Sequence, residues 1–118
     1  FHRHELLYAA IREVKAMSDA GWRPPRRARI RVAGRSGIAT IAAQLLNMRE
    51  GGFISAHDEH LGRTIAEIMC GGDIEPGSVV DEAWLMALER RAFVRLLTHP
   101  KTQERVMGMV QTGKPVRN

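Results

Sequence analysis

Cysteine is nearly missing from this chain: Cys70 is the only one among 118 residues, so no internal disulfide can form, which fits a reducing compartment such as the cytoplasm. No apolar run approaches the roughly 20 residues that cross a bilayer, so no membrane-spanning segment is expected. Aromatic residues are sparse at 5%. There is no Gly-x-Ser-x-Gly elbow, no P-loop and no Gly-x-Gly-x-x-Gly, which removes the usual sequence handles of a hydrolase, a nucleotide triphosphate site or a dinucleotide site. The opening FHRHELLYAA has neither an initiating Met nor the charged-then-apolar layout of a signal peptide. A chain that begins inside a helical pattern is expected to be a fragment of a longer one.

What is present is a helical vocabulary. Apolar residues make up 44% of the chain, mostly Ala, Leu, Ile, Val and Met, enough for one modest domain near the size where neighbours help. From about His4 to Ala20, Leu7, Ala10, Ile11, Val14 and Met17 recur at three- and four-residue steps, an amphipathic helix ended by Gly21. Trp22-Arg23-Pro24-Pro25 cannot continue it, because two prolines fix φ and remove amide donors. Residues 26 to 32 alternate loosely as a short extended stretch with no evident partner strand. Ser36 reads as the N-cap of a helix over 37–50 with an apolar face from Ile38 to Met48. Ser55 and Asp58 imitate a capping box opening the next helix, whose buried side is predicted to be Leu61, Ile65, Ile68 and Met69. Gly71 and Gly72 close it, and residues 74–79 read as a loop.

The last third organises the chain. Asp81 stands where an N-cap belongs, and Leu85, Leu88, Ala92 and Leu96 form a stripe with Phe93 and Leu97 beside it. At about 100° per residue Glu89 falls inside that apolar arc. It is therefore expected to be a buried structural carboxylate paired with an Arg or capping backbone amides, its loss costing roughly 3–5 kcal/mol if burial is complete. A second helix runs from about Lys101 to Thr112 with Val106, Met109 and Val110 on one side, ended by Gly113. The sum is an all-α unit of about five helices, 1–118, with an Arg-rich connector at about 22–35.

Candidate chemistry is thin. His57 and His60 share a helix face, but zinc needs further ligands, and His2, His4 and His99 lie far off in sequence, so no metal site is assigned. Cys70 ends a helix at the negative dipole end, which disfavours a thiolate nucleophile. The net charge of +5 gathers in Arg23, Arg26, Arg27, Arg29, Arg31 and Arg35. A basic helical nucleic-acid-binding module is the rival reading, but no recognition motif surrounds the tract, and a solvated connector accounts for it better. No convergent set of acid, base and nucleophile appears.

The ordered pieces Gly21–Pro25 (GWRPP), Gly51–Asp58 (GGFISAHD), Cys70–Asp73 (CGGD), Leu88–Phe93 (LERRAF) and the closing Gly113–Asn118 (GKPVRN) cover nearly the whole chain. Together they resemble the C-terminus of bacterial multifunctional fatty-acid β-oxidation proteins, which join an L-3-hydroxyacyl-CoA dehydrogenase to a crotonase-type enoyl-CoA hydratase. The resemblance implies a non-catalytic C-terminal module serving domain packing and oligomerisation, and covering the acyl-CoA site. NAD and coenzyme A thioesters would belong to the parent enzyme, with no catalytic, cofactor or metal residue here. Its implied partners are the upstream domains and further copies of itself, not specific nucleic acid or a membrane. The family's coenzyme A aromatic and lysine fall at Met109 and Thr112, neither of which matches. Lys114 is the nearest substitute.

Overall fold

The computed structural model describes residues 5–26 and 28–118; His2, His4 and Arg27 of the sequence readings lie outside them. Among the described residues, five helices and one two-residue strand pair make up the regular structure, in the order α1 (Leu6–Asp19), β1 (Ile30–Arg31), α2 (Gly34–Glu50), α3 (Ala56–Met69), β2 (Val79–Val80), α4 (Glu82–Leu97), α5 (Pro100–Thr112). The all-α expectation holds. β1 and β2 are antiparallel, pairing Ile30 with Val80 and Arg31 with Val79. The extended stretch therefore has a partner after all, inside residues that read as loop; a two-residue strand leaves too little alternation to recognise.

Ser36 is not the cap of α2. The helix starts two residues earlier, and its first amides are satisfied by the loop after α3: Gly34 N–H donates to the Cys70 carbonyl at 2.8 Å and Arg35 N–H to the Ile74 carbonyl at 3.0 Å. Carbonyls from a folded-back loop do the work of a side-chain cap. Gly34 makes that approach possible, since it sits at φ +56° and a Cβ there would collide with the Ile74 carbonyl oxygen. Ser36 instead donates its hydroxyl to the Ala33 carbonyl at 3.1 Å.

The packed helix pairs are α2 on α3, α3 on α4 and α4 on α5. α3 is the middle element, covered from two sides, and what it buries is small or polar: His57, Glu59, Thr64 and Ala66. Gly62 lets Leu45 of α2 come close, as a Cβ there would lie 2.8 Å from both Leu45 methyls. The predicted apolar side is half right. Leu61 and Ile68 are partly buried, whereas Ile65 and Met69 face outward, exposed by 53% and 71%. On α4 the Leu85, Leu88, Ala92 and Leu96 stripe does face inward, with Ala92 buried. Trp84 fastens the start of α4, its indole N–H donating to the Gly71 carbonyl at 2.9 Å.

Glu89 corrects the expectation set for it: it is exposed, and no ion pair of the described residues includes it. It lies at the edge of the inward arc, beside Met86 and Phe93, which are also exposed. The α5 positions Val106, Met109 and Val110 are exposed too. Arg105 and Gly108 face the body instead, and Gly108 leaves room for Val116 of the returning tail.

α1 belongs to none of the packed pairs. It buries no residue, and its apolar stripe stands in solvent, Leu7 at 69% and Val14 at 66%. The molecule is correspondingly drawn out, with a radius of gyration of 20.1 Å where a compact chain of this length has about 13–14 Å. Its accessible surface of 9552 Å² compares with roughly 6400 Å² for a compact monomer of this mass. Among the described residues the buried apolar core is Val32, Ala66, Cys70 and Ala92.

Candidate functional site

The densest polar constellation forms where the first turn of α3 meets the first turn of α5. The capping box is present in full: Ser55 Oγ accepts from Asp58 N–H, and Asp58 Oδ2 accepts from Ser55 N–H, both at 3.0 Å. That geometry fixes Asp58 so that its other oxygen receives Arg105 of α5 at 2.8 Å. The Ser55 amide foremost, then Arg105, hold the Asp58 carboxyl down at about 2, against an opposing effect of burial. Arg105 also donates to the Asn118 side-chain oxygen at 2.7 Å, and Asn118 Nδ2 donates to the Lys101 carbonyl at 3.0 Å and to Glu104 at 2.7 Å. The tail is thus sewn back onto α5.

Three imidazoles lie beside this network. His57 and His60 come from α3 and His99 from the N-cap of α5, with ring centroids 6.0 Å (57–60), 4.7 Å (57–99) and 5.2 Å (60–99) apart. The remoteness of His99 in sequence was the argument against a metal; the α4–α5 turn cancels that distance. His57 and His60 are stacked, 24° from parallel, His99 is tilted by 30° and 32° to them, and two of the ring nitrogens are engaged. His57 Nε2 is 3.1 Å from Thr102 Oγ1, and His99 Nδ1 accepts from Lys101 N–H at 3.2 Å. Among the described residues no three His, Cys, Asp or Glu side chains are placed to hold a metal ion.

His57 is 2% exposed and its Nδ1 has no hydrogen-bond partner among the described residues. Burial foremost, then the charge of Arg105, pushes its pKa below the ordinary histidine value. A His–Thr contact suggests a base beside a nucleophile, but such pairs work when a third group orients the base through its other nitrogen. His57 Nδ1 lacks that group.

Among the described residues the buried carboxylate is Glu59. Arg63 approaches its Oε1 at 2.7–2.8 Å and Arg49 of α2 its Oε2 at 3.1 Å, so one acid one turn into α3 clamps α2. The Glu59–Arg63 spacing of four was the sequence signal for it. Of the arginine tract, Arg31 donates to the Gly77 carbonyl at 2.9 Å and Arg35 pairs with Asp73 and Glu75. Two of its cations are spent on the chain itself. Cys70 is buried, and Lys114 is exposed at the foot of the tail.

Over 117 residues, 99% of its length, the chain is 36% identical to a protein of Bacillus subtilis (strain 168) named Probable 3-hydroxyacyl-CoA dehydrogenase. It is similar to a piece of that protein. The match spans 15% of the Bacillus protein's length, so the relative has far more chain than is seen here. No family model matches the sequence, and no solved structure matches it. No helix among the described residues is long and apolar enough to cross a membrane.

Proposed function

We propose that this chain is a non-catalytic helical module of a larger 3-hydroxyacyl-CoA dehydrogenase of fatty-acid β-oxidation, a cytoplasmic enzyme that also carries a crotonase-type enoyl-CoA hydratase domain. NAD and the coenzyme A thioester would be held elsewhere in the polypeptide, and the module packs against those domains, assists subunit association and flanks the acyl-CoA site. The 36% identity to the Bacillus protein supports the family. The observation that carries the packing role is α1, a 14-residue amphipathic helix with no buried residue. Left in water, such a stripe forgoes roughly 25 cal/mol for every Å² it would bury, so it has a strong drive to dock.

The test is Leu7→Glu with Val14→Glu, made both in the 118-residue chain and in the full-length protein. In the isolated chain the double change should alter stability by less than about 0.5 kcal/mol, since both positions are exposed. In the full-length protein it should lower the thermal midpoint by several degrees and weaken subunit association measured by light scattering. An unchanged full-length protein overturns the proposal.

A further inference from the structure

The polar junction between α3 and α5 has two features that only neutral imidazoles tolerate. His57 is buried with Thr102 Oγ1 as its hydrogen-bond partner. Placing the single proton of the neutral ring on Nε2 lets it donate to the threonine and leaves Nδ1 a bare acceptor, the cheaper way to bury an unpaired nitrogen. Protonation would put a second N–H on Nδ1, where the described residues offer no acceptor. The second feature is the α5 cap: His99 Nδ1 accepts the Lys101 amide, and an imidazolium cannot accept.

Two fixed cations and two further imidazoles surround His57. Arg105 and Lys101 face it from α5, His99 from the α4–α5 turn and His60 from its own helix. The two acids next along α3 are already paired, Asp58 with Arg105 and Glu59 with Arg49 and Arg63. A proton at His57 would gain no free carboxylate and would meet two fixed cations.

We infer that the histidine stack is a proton-operated latch, which holds α5 and the returning tail against α3 at neutral pH and releases them as the medium acidifies through the histidine range. The inference rests on the geometry of this chain and not on the identity of its parent. The sign follows from linkage. A buried neutral histidine binds fewer protons folded than released, so docking is complete above the ordinary histidine pKa of about 6.5 and weakens as pH falls below it. Release uncovers the surfaces of α3 and α4 beneath α5, which a domain packed nearby would sense.

The test is hydrogen–deuterium exchange on the full-length protein at pH 7.5 and pH 5.0, corrected for intrinsic rates. Peptides from α5 and the tail should lose protection by about tenfold at the lower pH while α2 keeps its own. The variant His57→Gln with His99→Asn replaces both rings by groups that cannot titrate, asparagine being a good N-cap, and should flatten that response to less than about threefold. Equal α5 protection at both pH values in the wild type overturns the inference, as does an undiminished response in the variant. Should the variant not fold, the His57 ring proton followed by NMR in the wild type decides: α5 exchange must rise with His57 protonation. A charged His57 beneath a still-protected α5 refutes the latch.

Discussion

Replacing Glu59 by Gln tests most directly what holds α2 to α3. The glutamine keeps the shape but loses the charge, and one of its two oxygens becomes a donor facing an arginine. Three contacts of 2.7–3.1 Å are affected. Charge-assisted bonds are each worth about 1.5–3 kcal/mol, though such values do not add within one cluster. Losing one partner of a fully buried pair costs about 3–5 kcal/mol. Here the arginine side chains are 40% and 45% exposed and can return to water, so the expected loss is smaller, about 1.5–3 kcal/mol. In urea unfolding followed by far-ultraviolet circular dichroism, this lowers the midpoint by about 1–2 M for a chain of this size. Glu89→Ala is the matched control, an exposed glutamate on the neighbouring packed helix, and should change stability by at most about 0.5 kcal/mol. Equal shifts for the two substitutions, or a Glu59→Gln shift under about 0.5 kcal/mol, would refute the assignment of Glu59 as the clamp.

Gly34→Ala should destabilise by about 3 kcal/mol or more in the same assay. Its positive φ costs an alanine about 1 kcal/mol, and its Cβ meets the Ile74 carbonyl oxygen, which cannot retreat without losing the hydrogen bond it accepts from the Arg35 N–H. Asp58 predicts an acid limb. Its carboxyl is held at about 2 in the fold against an ordinary 3.8, so its contribution is complete above about pH 4 and fades as pH falls toward 2. Because the side chain is 36% exposed, screening reduces that contribution to about 1 kcal/mol. Asp58→Asn should remove this part of the acid-unfolding curve, and an unchanged curve would refute the role.

What the sequence made legible was local. Ser55 and Asp58 cap α3 reciprocally, Asp81 accepts the Trp84 amide at 2.8 Å, and Gly113 takes a left-handed φ of 68°, each foreseen because a cap is decided within four residues. Ser36 failed as a cap because carbonyls 36 and 39 residues further along the chain, those of Cys70 and Ile74, take the first amides of α2; the other failures depended on which side of a helix finds a neighbour. A helical wheel drew the apolar arc of α4 correctly, yet it could not show that the covered half stops short of Glu89. Ile65 and Met69 failed for a related reason: α3 is approached on flanks where Gly62, Thr64 and Ala66 permit close backbones, so its larger side chains are left outside. The three-histidine stack was hidden because it is made by the turn between α4 and α5. The hint was His99 standing directly before Pro100, since a proline at the first helical position makes its predecessor the N-cap.

These outcomes share a physical cause. A free-standing domain spends its large apolar residues on its own centre, whereas here Leu7, Ile11, Val14, Phe93 and Val110 are all more than half exposed and the buried set is small or polar. Polar clamps position the helices: Glu59 between α2 and α3, Arg105 with Asp58 between α3 and α5, and Trp84 on the Gly71 carbonyl. Directional contacts of this kind fix geometry while contributing modest net stability, so a chain built on them gives up its apolar faces for use elsewhere. The histidine latch acts on the same economy of contacts. Because α5 is held mainly by its polar first turn and the tail, its Val106, Met109 and Val110 facing away, a proton at one buried ring is enough to tip its docking, where a helix seated on leucines would not respond.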